Sequence, residues 1–247
     1  DPLNPLLNRA LQGLYPPGST FKMITAIGAL QENIVEPSDK INDEGRYKYW
    51  PTPQPQCWIY RQHGGTHGLV NVTDAIEVSC NYYFYDVGRR LGIELLDQYA
   101  AMFGLGQKTG IELTEQAGVV ASPEFTESLG GTWHEGNILS VAIGQESTQV
   151  TPIQLANYIA TLVNGGTRYS THLLKEVKSS DFTSVEYSYT PQVLSTIDIQ
   201  PKNLEAVKAG MLTLTSDGSV SRYFQNLGVK VGAKTGSAQS SAQTESN

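Results

Sequence analysis

A serine and a lysine lie one helical turn apart at the start of an apolar segment. In LYPPGSTFKMITAIGALQ, Ser19 and Lys22 follow a Pro-Pro-Gly break, and residues 21–30 carry few polar side chains. A helix that is apolar nearly all round is normally buried, and positions i and i+3 share one face. Burying an ammonium group costs several kcal/mol unless it is paired or loses its proton. Lys22 is therefore expected either to have a partner, to have a shifted pKa or to open onto a cleft.

The pattern S-x-N occurs once, at Ser79-Cys80-Asn81, in a predicted turn between two helices. A serine hydroxyl is a poor nucleophile until a base takes its proton, and lysine can be that base only if its pKa falls well below about 10.4. A second serine, Ser79, would relay a proton to a leaving amine, and Asn81 would hold an amide of the substrate. The patterns S-x-x-K, S-x-N and K-T-G recur together in one class of acyl-transfer enzymes.

The pattern K-T-G occurs twice in the chain. At Lys234-Thr235-Gly236 the neighbours are small, so a substrate backbone can lie beside the predicted strand. Lys234 would supply positive charge, and the hydroxyls of Thr235 and Ser237 would hold a carboxylate. The copy at residues 108–110 is followed by the bulky Ile111, and we predict a structural turn there.

Composition excludes several classes of protein. The chain has 247 residues, of which 39% are hydrophobic and 17% charged, and its net charge is −7. This charge and the lack of a basic cluster argue against nucleic-acid binding. Two cysteines are too few for a disulfide framework, and no apolar run reaches the roughly 18 residues of a membrane span. Both ends look like cuts through a longer protein, and an anchor or signal could have been lost with the N-terminal part.

Helices dominate the first part of the predicted secondary structure, and strands appear later, which indicates an α+β fold. Residues 33–68 have no sustained period and are predicted to form a long irregular excursion, and loops of that length are usually functional or protein-binding. The predicted helices cover residues 19–31, 74–78 (capped by Thr73), 81–92, 93–104, 151–164 and 201–215, and the predicted strands cover 109–113, 171–180 paired with 182–189, and 229–234.

With the three motifs in place, most of the chain resembles the transpeptidase domain of class B (monofunctional) penicillin-binding proteins. The segments GLYPPGSTFK, SCNYYFYDVG, FGLGQKTGIEL, AIGQESTQVTPIQLANYIATLVNGG and AKTGSAQ resemble family segments in the family's order. TWHEGNILSVAIGQ is more similar to the elongation-type proteins, often called penicillin-binding protein 2, than to the division type.

The resemblance implies a penicillin-binding-protein or serine β-lactamase-like fold. In this α+β fold an antiparallel sheet of five strands is flanked by helices, with an all-helical lobe beside it. We expect residues 1–247 to be one transpeptidase domain truncated at both ends. The sheet should be incomplete, because the family has strands before the Ser19 helix and after the third motif.

The resemblance also implies the chemistry, which is acyl transfer on D-Ala-D-Ala stem peptides of peptidoglycan and acylation by β-lactam antibiotics. Ser19 would be the nucleophile and Lys22 its base, and the backbone N–H groups of Ser19 and Ser237 would form the oxyanion hole. The remaining family motifs match Ser79, Asn81, Lys234, Thr235 and Gly236. No metal or organic cofactor is implied.

The partners and the location follow from the family alone. A SEDS-family glycan polymerase and other elongation-complex proteins would bind through parts outside this chain. The domain would lie at the extracytoplasmic face of the bacterial cytoplasmic membrane, anchored by an N-terminal segment.

Two alternative functions and two local features stay open. A β-lactamase or D,D-carboxypeptidase would resolve the acyl-enzyme with water, and a penicillin-sensing receptor domain would be acylated without turnover. Cys57 with His63 and His67 could bind zinc, although the glycines between the histidines favour a plain loop. Asn71-Val72-Thr73 fits a glycosylation sequon, but a helix cap explains it better.

Overall fold

A computed structural model describes residues 5–237 of the chain. The helices are α1 (Arg9–Gln12), α2 (Lys22–Gln31), α3 (Trp58–His63), α4 (Val72–Glu77), α5 (Asn81–Leu91), α6 (Ile93–Met102), α7 (Pro123–Ser128), α8 (Asn137–Val141), α9 (Pro152–Val163) and α10 (Pro201–Ser216). Short 3-10 turns cover Gly18–Phe21 and Ser221–Tyr223. The strands are β1 (Ile41–Asp43), β2 (Gly68–Val70), β3 (Thr167–Tyr169), β4 (Glu176–Lys178), β5 (Val185–Ser188) and β6 (Val193–Thr196).

The strands form three antiparallel pairs among the described residues: β1 with β2, β3 with β6, and β4 with β5. The predicted pairing of residues 171–180 with 182–189 is confirmed by β4 and β5. A helix-rich chain with small antiparallel pairs agrees with the expected α+β class and with an incomplete sheet.

The described parts of residues 1–15, 100–119 and 149–198 form one compact unit. Its main helix, α9, begins as the sequence predicts: Thr151 and Gln154 form a capping box, and a proline occupies the first turn. Arg168 is buried in this unit and donates hydrogen bonds to Asn157, Gln107 and the Lys108 carbonyl. A buried guanidinium is stable only with such acceptors.

The described parts of residues 16–99, 120–148 and 199–247 form the other compact unit. Its central helix is α2, in which every residue from Lys22 to Leu30 is buried. Helices α4, α5 and α10 pack around α2, and the Thr25 hydroxyl donates a hydrogen bond to the Ala142 carbonyl at 2.8 Å. The predicted all-round burial of this helix is confirmed.

Three local predictions are wrong. Helix α4 is capped by Asn71, whose side chain accepts from the Asp74 N–H in a capping box, and not by Thr73. Residues 109–113 do not form a strand, because Glu115 binds the backbone N–H groups of Thr109 and Gly110. Residues 229–234 are not a strand either, since none of the described residues offers this segment a neighbouring strand.

In the part of the chain that the structure describes, we find no helix with the length and apolar character needed to cross a membrane.

Candidate active site

Lys22, the first residue of α2, is fully buried and makes three hydrogen bonds. Its Nζ donates to the Ser79 carbonyl at 2.8 Å, to Ser79 Oγ at 3.1 Å and to Asn81 Oδ1 at 2.6 Å. Burial, and after it the positive charge of Lys234, lower the pKa of Lys22 to about 7. The amine is therefore partly neutral near neutral pH, which is the state that can accept a proton.

The turn between α4 and α5 presents Ser79 and Asn81 to this lysine. Ser79 has a φ of 54°, a left-handed conformation that is uncommon outside glycine. The turn is held by a backbone hydrogen bond from the Cys80 N–H to the Ala75 carbonyl at 2.9 Å. Strain of this kind persists only where the surrounding structure enforces it, and it is concentrated at functional sites.

Ser19 lies in the 3-10 turn Gly18–Phe21 that leads into α2. The Gly18 N–H donates to the Gly144 carbonyl at 2.8 Å, and Gly144 has a φ of +70°. A Cβ at Gly144 would lie 2.2 Å from the Gly18 carbonyl oxygen, so only glycine fits there. Gly144 thus fixes the turn that carries Ser19. Lys22 Nζ binds Ser79 and Asn81 in this state, and no hydrogen bond joins it to Ser19 Oγ among the described residues.

The third motif lies beside the first. A Cβ at Gly236 would be 3.1 Å from Thr20 Cγ2, so this glycine permits a close approach. Lys234 Nζ donates to the Thr235 carbonyl at 3.1 Å, and burial lowers the pKa of Lys234 to about 8. Lys234 is therefore mostly cationic at neutral pH and gives the site a positive charge.

A cavity of about 730 Å³ brings these motifs together. Of the residues predicted for the site, Ser19, Ser79, Asn81, Thr235 and Ser237 line it. Lys22 lies behind Ser79 and Asn81, to which it is bonded. The geometry provides a hydroxyl nucleophile and hydroxyl groups for an anion within one cavity, with a buried amine bonded to two residues of its wall.

Sequence reasoning missed several residues of the cavity wall. Tyr85, Ser140 and Gln145 line it, and Gln145 Nε2 donates to the Ser237 carbonyl at 3.3 Å. These residues lie in segments that resemble the family, but the segments show no local pattern that predicts contact with the cavity. Part of the irregular segment 33–68 also lines it, through Pro55, Gln56, Trp58, Arg61 and Gln62.

The second K-T-G copy is a structural turn, as predicted. Glu115 accepts hydrogen bonds from the Thr109 N–H at 3.0 Å, the Thr109 hydroxyl at 2.8 Å and the Gly110 N–H at 2.9 Å. Thr109 is fully buried, so its hydroxyl is committed to this turn and cannot hold a substrate.

A second cluster of reactive side chains lies next to the S-x-N turn. Ligand atoms of Asp43, Cys57, His67 and Cys80 all lie within 4.8 Å of one another. The Sγ atoms of Cys57 and Cys80 are 4.0 Å apart, His67 Nδ1 is 3.5 Å from Cys57 Sγ, and Cys80 Sγ is 3.6 Å from Asp43 Oδ2. Of the predicted zinc candidates, Cys57 and His67 belong to this cluster and His63 does not, whereas Asp43 and Cys80 are members that the sequence analysis did not predict.

Electrostatics in this cluster favour the anionic forms of Cys57 and Asp43, whereas burial raises the pKa of the Cys80 thiol. A hydrogen bond from Cys80 lowers the pKa of the Cys57 thiol to about 5, although burial opposes it. Burial raises the pKa of Asp43, but hydrogen bonds from the N–H groups of Gly45 and His67 outweigh it, and the net shift is downward. A thiolate, a carboxylate and an imidazole at these spacings could hold a divalent metal ion.

Comparisons with known proteins identify the family of the chain. A family model described as the penicillin-binding protein transpeptidase domain matches residues 1–247. The chain is 39% identical over 173 residues to the peptidoglycan D,D-transpeptidase MrdA of Acinetobacter baumannii, covering 69% of this chain and 25% of the relative. It is 32% identical over 243 residues to MrdA of Escherichia coli K12, covering 97% of this chain and 38% of that relative.

Solved structures resemble the fold over nearly the whole chain. Pseudomonas aeruginosa PBP2 in complex with WCK 5153 superposes with a TM-score of 0.84 at 30% identity, covering 97% of this chain and 53% of that one. A chain of a peptidoglycan synthase complex superposes with a TM-score of 0.84 at 29% identity, covering 98% of this chain and 40% of that one. PBP2 of Helicobacter pylori in complex with MreC superposes with a TM-score of 0.80 at 26% identity, covering 97% of this chain and 43% of that one. The chain spans 25% to 38% of the length of the two curated relatives.

Proposed function

Because the chain belongs to the penicillin-binding protein transpeptidase family, we propose that it carries the acyl-transfer site of a peptidoglycan D,D-transpeptidase of the elongation type. We infer that residues 1–247 act as one transpeptidase domain. The observation that carries the proposal is Lys22, a buried amine of lowered pKa, bonded to Ser79 and Asn81 at the wall of the cavity that holds Ser19.

In the first half-reaction Ser19 Oγ attacks the carbonyl carbon between the two D-alanine residues of the donor peptide. Neutral Lys22 takes the hydroxyl proton as the C–O bond forms. The backbone N–H groups of Ser19 and Ser237 stabilise the oxyanion of the tetrahedral intermediate. Collapse of the intermediate breaks the C–N bond, and the departing D-alanine amine receives a proton through Ser79, which leaves an ester on Ser19.

The other motif residues hold the donor peptide. Asn81 binds an amide of the peptide, and Thr235 and Ser237 hold its terminal carboxylate beside the charge of Lys234. Gly236 lets the peptide backbone approach closely. In the second half-reaction an amine of another stem peptide attacks the ester carbon. An amide C–N bond replaces the ester C–O bond, and the proton lost by the amine restores the Ser19 hydroxyl.

Benzylpenicillin tests the proposal, because a β-lactam acylates such a serine and is released slowly. Intact mass spectrometry of the wild-type protein should show one long-lived penicillin adduct, and Ser19→Ala should show none. An adduct that disappears within minutes would favour the β-lactamase alternative. A folded protein that forms no adduct, with folding checked by circular dichroism, would contradict the proposal.

A donor thioester and a D-amino acid as acceptor amine separate a transpeptidase from a sensor. A transpeptidase forms the amide product and frees the thiol in equal amounts, whereas a penicillin-sensing receptor domain is acylated without turnover. A D,D-carboxypeptidase gives hydrolysis product alone.

We further propose that the protein works at the extracytoplasmic face of the bacterial cytoplasmic membrane with elongation-complex partners, a SEDS-family glycan polymerase among them. The similarity to a chain of a peptidoglycan synthase complex and to a PBP2 complexed with MreC supports this. Co-purification of the full-length protein with tagged candidate partners from membranes tests it, and the absence of every candidate would contradict it.

The cluster of Asp43, Cys57, His67 and Cys80 supports a second proposal, a structural zinc site. In a tetrahedral zinc site the ligand atoms lie about 3.3–3.8 Å apart. The sulfur–nitrogen, sulfur–sulfur and sulfur–oxygen distances of 3.5, 4.0 and 3.6 Å are close to that range. The shorter 2.7 Å between His67 Nδ1 and Asp43 Oδ2 is a hydrogen bond, whose proton zinc would displace.

Atomic emission on purified protein tests the zinc proposal. We expect about one zinc per chain in the wild type and less in Cys57→Ser and Cys80→Ser. His63→Ala is the matched control, since His63 is exposed and lies outside the cluster. Wild-type protein without zinc, or a cysteine variant that keeps the full amount, would contradict the proposal.

A further inference from the structure

The two cysteines of the chain lie side by side in the structure. Cys57 and Cys80 are 23 positions apart in the sequence, yet their Sγ atoms are only 4.0 Å apart. Both thiols are free and fully buried, so each sulfur has the other as a close neighbour. A disulfide needs its sulfurs about 2 Å apart, so the pair has to close a gap of about the same length.

The backbone holds both cysteines in place. The Cys57 N–H donates to the Gly45 carbonyl at 2.8 Å, and the Cys80 N–H donates to the Ala75 carbonyl at 2.9 Å. Cys80 also caps α5, where its sulfur accepts a hydrogen bond from the Tyr83 N–H at 3.5 Å. The sulfurs therefore approach each other through rotation of the side chains together with a shift of the turn that carries Cys80.

The same two sulfurs are half of the proposed zinc ligands. Cysteine binds zinc as the thiolate, and a structural zinc site needs four ligands. A disulfide would leave only Asp43 and His67, whose Oδ2 and Nδ1 atoms are 2.7 Å apart. Two ligands do not hold a structural zinc ion, so the pair can carry a metal ion or an S–S bond, but not both.

We propose that Cys57 and Cys80 are a redox modification site, whose reversible disulfide excludes zinc and displaces the S-x-N turn. The zinc half of this proposal rests on the zinc site proposed above, and the effect on acylation rests on the proposed transpeptidase function. The disulfide itself depends only on the two sulfurs. The proposed location favours the oxidised form, because compartments outside the cytoplasm are oxidising.

The oxidant is an external disulfide, of a small thiol or of a protein. One thiolate of the pair attacks a sulfur of that disulfide, which forms a mixed disulfide and releases the first external thiol. The other cysteine then attacks the mixed disulfide as its thiolate. The S–S bond between Cys57 and Cys80 forms, and the second external thiol leaves. Two electrons and two protons pass from the cysteines to the oxidant, which is reduced to two thiols.

Oxidation reaches the catalytic residues through Cys80. Its neighbours Ser79 and Asn81 accept hydrogen bonds from Lys22 Nζ at 3.1 and 2.6 Å. Ser79 already has a left-handed φ of 54°, so the turn tolerates little further change without moving these acceptors. A displacement of about 1 Å among positioned catalytic groups can cost about 100-fold in rate. We therefore expect the disulfide form to be acylated at least about tenfold more slowly than the reduced form.

Oxidised glutathione, added to the purified protein after EDTA has removed metal ions, tests the proposal. The products are denatured, alkylated with iodoacetamide and weighed by mass spectrometry. The oxidised wild type should lack two hydrogen atoms and take up no alkyl group, and dithiothreitol should restore two alkylated cysteines.

Zinc binding and acylation are measured on the same samples. Zinc added before the oxidant should slow disulfide formation, and the oxidised protein should bind no zinc in atomic emission. The rate of acylation by benzylpenicillin should fall at least about tenfold on oxidation and return after reduction.

Two variants are the controls. His67→Gln removes one proposed zinc ligand and leaves both sulfurs, so it should form the disulfide as fast with added zinc as without it. Cys57→Ser keeps a single thiol and should form no internal disulfide. Its rate of acylation should not respond to the oxidant.

The outcomes separate the three levels of the argument. A wild type that is folded by circular dichroism and keeps two alkylatable cysteines after oxidation would overturn the proposal. Zinc that stays bound to the disulfide form, or a disulfide form that is acylated at the reduced rate, would overturn it as well. Reduced protein that binds no zinc refutes the zinc site, and reduced protein that benzylpenicillin does not acylate refutes the transpeptidase function. In both cases the alkylation result still decides whether the disulfide forms.

Discussion

The lowered pKa of Lys22 predicts how acylation depends on pH. With a pKa of about 7 instead of the ordinary 10.5, about half of the lysine is neutral at pH 7, against about 0.03% for an exposed lysine. The structure therefore raises the concentration of active base by about three orders of magnitude. The direction of the shift is set by burial, which disfavours the ammonium, and by the positive charge of Lys234. The charges of Cys80 and Cys57 only partly offset these two effects.

The assay is the second-order rate constant of acylation by benzylpenicillin between pH 5 and 10. We expect a rise of about tenfold per pH unit below pH 7, since only the neutral amine accepts the proton of Ser19. Above pH 8 the rate should fall, because Lys234, with a pKa of about 8, loses the charge that attracts the penicillin carboxylate. The rising and falling limbs of the pH–rate profile report two interacting lysines. The fitted pKa values are therefore macroscopic values of the pair.

A variant identifies which lysine produces the acidic limb. The charge of Lys234 lowers the pKa of Lys22, so Lys234→Gln should move the acidic limb to higher pH as well as slow the reaction. Lys108→Gln removes the same charge from the other K-T-G copy and should leave the limb in place. With the protein shown to be folded throughout, an acylation rate that is flat from pH 5 to 7 would refute base catalysis by the lysine. A rising limb centred near pH 10 would refute it as well.

Three further predictions concern single positions. Gly144→Ala should destabilise the protein by about 2–4 kcal/mol in urea unfolding and slow acylation, whereas Gly64→Ala, whose φ is +68° with open space around it, should cost only about 1 kcal/mol. Lys234→Ala should slow acylation at least about 100-fold, and Lys108→Ala should change it less than twofold. Burial and a nearby glutamate raise the pKa of Asp97 to about 7. The stability that the neutral Asp97 carboxyl permits is therefore fully present below about pH 4, and it is lost as the pH rises through 7 and the carboxyl ionises. Because Asp97 is partly solvent-screened, Asp97→Asn should gain only roughly 1–2 kcal/mol at pH 8, and urea curves at pH 5 and 8 test this.

The sequence predicts well the features that short-range chemistry determines. The S-x-x-K pair on an apolar helix, the S-x-N turn and the structural copy of K-T-G each follow from a few neighbouring residues. Helix α9 was also predictable, because Thr151, Pro152 and Gln154 form a complete start signal.

Features that depend on distant partners were not predictable. Gly144 supports the Ser19 turn across more than a hundred residues, and no local pattern announces that contact. The segment 229–234 alternates like a strand, yet a strand also needs a neighbour with which to exchange hydrogen bonds. Thr73 and Asn71 were both plausible helix caps, and the capping box with Asp74 favours Asn71.

The irregular segment 33–68 joins the two proposed sites. Cys57 precedes α3, and its Sγ lies 4.0 Å from that of Cys80, which separates the two motif residues bonded to Lys22. The same helix carries Arg61 into the cavity. A change in the cluster of Asp43, Cys57, His67 and Cys80 would therefore act on the S-x-N turn through Cys80 and on the cavity wall through α3. This arrangement explains why a segment without regular periodicity is folded against the site. The segment sets the position of the S-x-N turn and of the cavity wall that α3 forms.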